Sequence, residues 1–169
     1  MIYLVGTHHE LQHTGAIRKG RAAPERVERA RREFQSYLRE KVLELSPALV
    51  AEELSQDLLT GRNGRSIAGD VAEKLGIEHR LCDPGYEERE RLGIPGKADD
   101  LTGQARDQQF EIRERYWLEC ISDIFDSTVL FICGADHTSR FKALLVENGW
   151  RPKVLEPYWG KEIYGIDEN

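Results

Sequence analysis

Cysteine is scarce in this chain. Only Cys82, Cys120 and Cys133 are present, widely spaced and with no Cys-x-x-Cys among them. That pattern predicts buried free thiols in a reducing compartment. Long apolar runs are missing too, and no stretch approaches the length of a membrane span. The first residues enter a strand pattern with neither a basic n-region nor an apolar h-region. A cytoplasmic protein with no membrane partner is therefore expected. Positive charge is not in excess, since the formal net charge is −6, which argues against nucleic acid as a partner. The one basic cluster (Arg18, Lys19, Arg21, Arg26, Arg29, Arg31 and Arg32) is interleaved with Glu25, Glu28 and Glu33 and reads as a solvated helix face. Two motifs are absent as well. No Gly-x-Gly-x-x-Gly follows the first strand, which weakens a Rossmann-like nucleotide binder. No Gly-x-Ser-x-Gly elbow supplies a nucleophilic serine.

What is present suits one globular domain over residues 1–169, with 40% hydrophobic and 32% charged residues. Two apolar runs end alike. Ile2-Tyr3-Leu4-Val5 leads into Gly6-Thr7-His8-His9, and Leu130-Phe131-Ile132-Cys133 leads into Gly134-Ala135-Asp136-His137. Each reads as a short buried strand followed by Gly-x-x-His. The glycine allows a tight exit with close backbone approach, and the histidine follows just beyond the strand's C-terminal end.

Between these runs the pattern alternates. Pro24 opens a helix whose apolar stripe is Val27, Ala30, Phe34, Leu38, Val42 and Leu45, stopped at Ser46-Pro47. A strand at 48–51 ends in Glu52-Glu53, and a polar turn at 60–64 leads to a helix over 66–75. Ile77–Cys82 forms a third strand that delivers Asp83 to a loop. Residues 83–103, rich in charge, glycine and proline, predict a short helix near 86–92 within a mobile lid. Tyr86 and Arg89 are the lid side chains best placed to meet a substrate. A long helix over 104–126, a strand at 128–133, a helix at 138–148 and a last strand near Val154-Leu155 complete the chain. Strands alternating with helices predict an α/β fold, a mainly parallel sheet of about five strands with helices on both faces. All strand C-terminal ends then share one edge, where ligands collect. His9, Glu52 or Glu53, Asp83 and His137 arrive there from four separate strands. His8, adjacent to His9 in an extended segment, points the other way. His13 lies farther along the loop, within reach of the site.

The paired Gly-x-x-His motifs, the glutamates between them and Arg113-Glu114-Arg115-Tyr116-Trp117 together resemble the Tiki/TraB/erythromycin esterase/ChaN-like superfamily. The order and approximate spacing match across nearly the whole chain, although this chain is short and lacks the helical insertions of larger members. The resemblance implies that His9 and His137 are the motif histidines. It implies Glu53, which precedes Leu54, as the family glutamate, with Glu52 as the alternative. Arg113 is implied as the family arginine, with Arg115 as the alternative, and Asp83 matches a polar strand-end position. Members differ in chemistry, from metal-dependent proteases to metal-free lactone hydrolases to a haem binder.

Two histidines and a carboxylate can do either of two jobs. His9, His137 and Glu52 or Glu53 form a divalent-metal site, for Mn, Co or Zn, with an open position for water. Alternatively one histidine acts directly as general base, oriented by the carboxylate. Arg113 suits an anionic group or a developing oxyanion. The expectation is a small hydrolase acting on an ester, lactone, amide or phosphoester bond of a small molecule or peptide. Asp83, Tyr86, Arg89 and Arg115 are the expected substrate-binding residues. The competing expectation is a non-catalytic module that binds a metal, haem or a small anion in the same crevice.

Overall fold

The computed structural model describes residues 1–17, 22–94 and 102–164. Its sheet consists of β1 (Ile2–Thr7), β2 (Leu49–Glu52), β3 (Glu78–Leu81), β4 (Val129–Gly134) and β5 (Pro152–Trp159). The order is β3-β2-β4-β1-β5, and every pairing is parallel. The α/β expectation holds, with a sheet that is parallel throughout. The central strands β1 and β4 are neighbours in register, with Thr7 opposite Gly134. Both Gly-x-x-His exits therefore lie side by side.

A parallel sheet is covered on both faces, so its strands need apolar side chains on both. On one face Val5, Val50, Leu130 and Ile132 pack against α1 (Pro24–Leu45) and α3 (Ile67–Leu75) through Val27, Phe34, Leu38 and Val71. On the other, Leu4, Ala51, Val129 and Phe131 meet α5 (Gly103–Cys120) and α6 (Thr138–Glu147) through Trp117, Ile121, Phe141 and Leu145. Successive strand residues face opposite ways. Glu52 thus joins Val50 under α3, while Glu53 joins Ala51 under α5.

Several local expectations are corrected. The segment after β2 contains α2 (Gln56–Gly61), a helix capped by Ser55, whose hydroxyl accepts the Leu58 amide at 3.3 Å. The long helix ends at Cys120 rather than 126, and Ser122–Ile124 forms a separate 3₁₀ turn. Arg80 explains the stop: its Nη1 donates to the Cys120 carbonyl at 2.8 Å and pairs with Asp123 at 2.6 Å. Arg31 is not on a solvated face. It is buried, donating to the Glu10 and Gly15 carbonyls at 2.8 and 2.9 Å and pairing with Glu28. Arg18, Lys19 and Arg21 lie outside the described residues.

The three cysteines are free, with Cys82 and Cys133 buried and Cys120 partly so. Among the described residues no helix is long and apolar enough to cross a membrane. The short helix near 86–92 is α4 (Tyr86–Arg91). Its start is fastened by Asp57, whose carboxylate accepts the Tyr86 amide at 2.7 Å. Of the expected lid, residues 95–101 lie outside the described residues.

Candidate active site at the carboxyl edge of the sheet

Glu53 is the centre of the site. It follows β2 directly, held by its amide on the Ile132 carbonyl at 2.8 Å, and its side chain is 0% exposed. Oε2 accepts the Gly134 amide at 2.6 Å, and Oε1 accepts Arg113 Nη2 at 2.5 Å. His137 Nε2 and His9 Nε2 stand 3.4 and 3.7 Å from that same Oε1. Both motif histidines therefore meet on one carboxylate, as the shared strand-end pattern predicts. Burial alone would raise the Glu53 carboxyl. The opposing pull of His137, Arg113 and His9, with the Gly134 amide, is stronger and holds it at about 2.

The glycines of the two motifs do different work. A methyl at Gly6 would overlap the Pro157 carbonyl and the Thr138 hydroxyl, so this glycine lets β5 and α6 close on the exit of β1. A methyl at Gly134 would stand 3.0 Å from His9 Nε2 and 3.1 Å from Glu53 Oε2. Gly134 is therefore the floor on which His9 and Glu53 approach each other.

Arg113 reaches the site from α5. Besides Glu53, it binds Asp83 through Nε at 2.8 Å and Nη2 at 2.7 Å, and Nη1 lies 3.4 Å from His137 Nε2. Burial alone would lower the pKa of the guanidinium; Glu53 and Asp83 raise it, so the charge is fixed. Asp83 also accepts the Trp117 indole N–H at 3.2 Å and pairs with Arg89 Nη2 at 2.6 Å. The result is an alternating series, Arg89–Asp83–Arg113–Glu53, in which each buried carboxylate has an arginine on it.

The two histidines are not equivalent. His137 is buried, its ring between Phe110 and Trp117 at centroid distances of 4.0 and 4.8 Å. Its Nδ1 pairs with Glu114 Oε1 at 2.7 Å. His9 follows β1 in a 3₁₀ turn and keeps 49% of its side chain exposed. Its Nδ1 is 3.5 Å from the Gln12 side-chain amide nitrogen. His8 turns away and caps that turn, its Nδ1 accepting the Glu10 amide at 3.3 Å. His13 does not reach back. It is buried beside Ser66, with Nδ1 accepting the Gly15 amide at 3.1 Å.

Four of the expected residues stand elsewhere. Glu52 is under the opposite face, its Oε1 bonded to the Ser66 hydroxyl and, at 2.8 Å, to His79 Nε2. Arg115 is exposed and pairs with Glu111 at 3.0 Å, because two residues along a helix is over half a turn from Arg113. Tyr86 is 72% exposed on α4. Arg89 meets the site only through Asp83. Conversely, Glu114, Phe110 and Trp117 belong to the site without having been assigned to it. Their signal was a charged residue at an inward helix position flanked by aromatics at helical spacing.

The donor set does not fit a divalent metal. The shared carboxylate already holds a guanidinium and an amide. Arg113 also places a fixed positive charge 3.4 Å from His137 Nε2, where a cation would need to bind. Among the described residues no group of three His, Cys, Asp or Glu side chains is arranged to hold a metal ion. Comparison of the chain with protein-family models, with curated proteins and with solved structures finds no match to any of them.

Proposed function

We propose that this site activates water directly through His9, making the protein a small metal-independent hydrolase of the Tiki/TraB/erythromycin esterase/ChaN-like type. The observation that carries the reading is a half-exposed imidazole over a fully buried, ionised carboxylate. His9 is the group of the pair that a substrate can reach. Gln12 Oε1 is buried without a hydrogen-bond partner among the described residues. Turning that amide lets Oε1 accept from His9 Nδ1–H, which leaves the Nε2 lone pair toward the crevice. Nε2 then accepts a hydrogen bond from a water in the crevice, with the enclosed Glu53 Oε1 3.7 Å behind it. As Nε2 takes a proton from that water, Glu53 stabilises the imidazolium that forms.

His137 is a positioning residue in this scheme. It is too enclosed to meet a substrate, and it holds Glu53 and Arg113 in place from a ring fixed by Glu114. Arg113 stands behind Glu53 and is buried, its nitrogens directed at Asp83, Glu53 and His137. That disfavours the second reading, a non-catalytic pocket for a small anion or haem carboxylates.

The test is turnover of p-nitrophenyl acetate, p-nitrophenyl phosphate and a simple lactone by the full chain. His9→Ala is expected to lower turnover of the responding probe by about 10²- to 10⁴-fold. Added imidazole restores part of it, and prior chelation changes nothing. Loss of activity on chelation, with recovery on adding a divalent ion, would overturn the metal-independent scheme. If no probe turns over while a ligand still binds through His9, the catalytic reading fails and the binding module stands.

A further inference from the structure

The face of the sheet opposite Glu53 carries a second arrangement of reactive groups that the proposed hydrolysis does not use. Glu52 is fully buried beneath α3, with Oε1 bonded to the Ser66 hydroxyl and to His79 Nε2. Its Oε2 has no hydrogen-bond partner among the described residues. Ser66 is committed to structure, since its Oγ also caps α3 by accepting the Gly69 amide at 2.7 Å. His79 is not so committed. A carboxylate behind Nε2 selects the Nε2–H tautomer, so the neutral ring presents the Nδ1 lone pair. No group among the described residues hydrogen-bonds that Nδ1.

His79 lines a cleft of about 500 Å³ between α2, α3 and β3. Gly69 keeps the ring accessible, because a methyl there would lie 3.0 Å from His79 Cε1 and 3.1 Å from Nδ1. The rim carries Asp70 and Glu73 against one guanidinium, Arg65, which pairs with both and is 70% exposed. With Glu52 below, carboxylates outnumber the cation, and the field in the cleft favours a positive ligand. Leu59, Ile77 and Leu81 supply an apolar wall.

We propose that this cleft is a second ligand site, separate from the Glu53 centre, which receives a primary ammonium group on a short apolar chain. The ammonium donates to His79 Nδ1 and to the Asp70 side of the rim, and the chain lies along Leu59 and Ile77. An anion would meet the carboxylates, and a branched or bulky group would meet the floor at Gly69.

The experiment is a titration of the ¹⁵N-labelled full chain with n-butylammonium chloride, read at the His79 ring by long-range ¹H–¹⁵N correlation, with sodium butyrate at equal ionic strength as the control. The free ring is expected as the Nε2–H tautomer at pH 7.5. Its resonances should move saturably with n-butylammonium at about millimolar concentration and remain still with butyrate. Gly69→Ala is expected to abolish the response while the melting temperature stays within about 3 °C. An Nδ1–H tautomer overturns the proposal outright. So does a response that fails to saturate, that butyrate reproduces, or that survives in Gly69→Ala. Should that variant fail to fold, the wild-type tautomer and the contrast between the two probes decide the matter alone. His9→Ala leaves the His79 response unchanged, so the outcome is independent of the hydrolase reading.

Discussion

Arg113 shows how much one side chain can organise. It stands on two buried carboxylates, Glu53 and Asp83, and touches His137. A guanidinium suits this because its rigid fork serves separate acceptors at once, whereas an ammonium is a single point of charge. Removing it leaves Glu53 with no arginine and Asp83 with only Arg89. Arg113→Met is therefore expected to cost about 3–5 kcal/mol, measured by urea denaturation. A change within about 0.5 kcal/mol would place Arg113 on a solvated surface instead. The sequence could nominate Arg113 and Arg115 but not choose between them by composition. Helical phase chose, since only one of the two faces the sheet.

At the level of elements, the decisive event is the pairing of β1 with β4. It places two strand exits of the same sequence type in register, and it delivers His9 and His137 to one carboxylate. The glycines of those exits should separate structural from functional need. Gly6→Ala drives a methyl into the backbone of β5 at Pro157, which cannot move without opening the sheet edge, so folding should fail or stability fall by several kcal/mol. Gly134 has φ −60° and ψ 142°, a conformation open to any residue, so alanine there strains no backbone. Its methyl instead displaces His9 and Glu53 by a fraction of an ångström. Gly134→Ala should melt near the parent temperature yet lose about 10- to 100-fold in turnover. Equal activity in that variant would show that the spacing of His9 and Glu53 is immaterial to the reaction.

For the whole molecule, two buried groups set the response to acid. Burial first, then Arg31 and Arg62, hold His13 at about 4, below its ordinary 6.5. The unfolded chain therefore takes up this proton more readily than the folded one. The associated stability is complete above pH 6.5 and is lost as pH falls toward 4. Glu53, held at about 2 against an ordinary 4.5, contributes stability above pH 4.5 that is lost as pH falls toward 2. Denaturation measured from pH 7 downward should thus show two successive losses. His13→Gln is expected to flatten the upper one by about 2–3 kcal/mol and leave the lower one intact. A single loss confined below pH 4.5 in the parent protein would remove His13 from this account.

Strand and helix periodicity, with Pro24 and the glycines as punctuation, determined the α/β class and most of its elements. These features are local, and each is visible within about one turn or one strand. Local reading also brought His9, Glu53, Asp83 and His137 to the correct edge, because in a parallel sheet every strand ends there. It overlooked α2, whose signal was only the Ser55 cap, and overran α5, whose end depends on Arg80 from a distant strand. Tertiary structure alone decided the rest. Strand order set which exits meet, and the alternation of β2 sent Glu52 to His79 and Glu53 to Arg113. Enclosure by Phe110 and Trp117 left His9, not His137, facing solvent. Side-chain type and spacing can be read along a chain, whereas burial and charge pairing depend on which elements become neighbours.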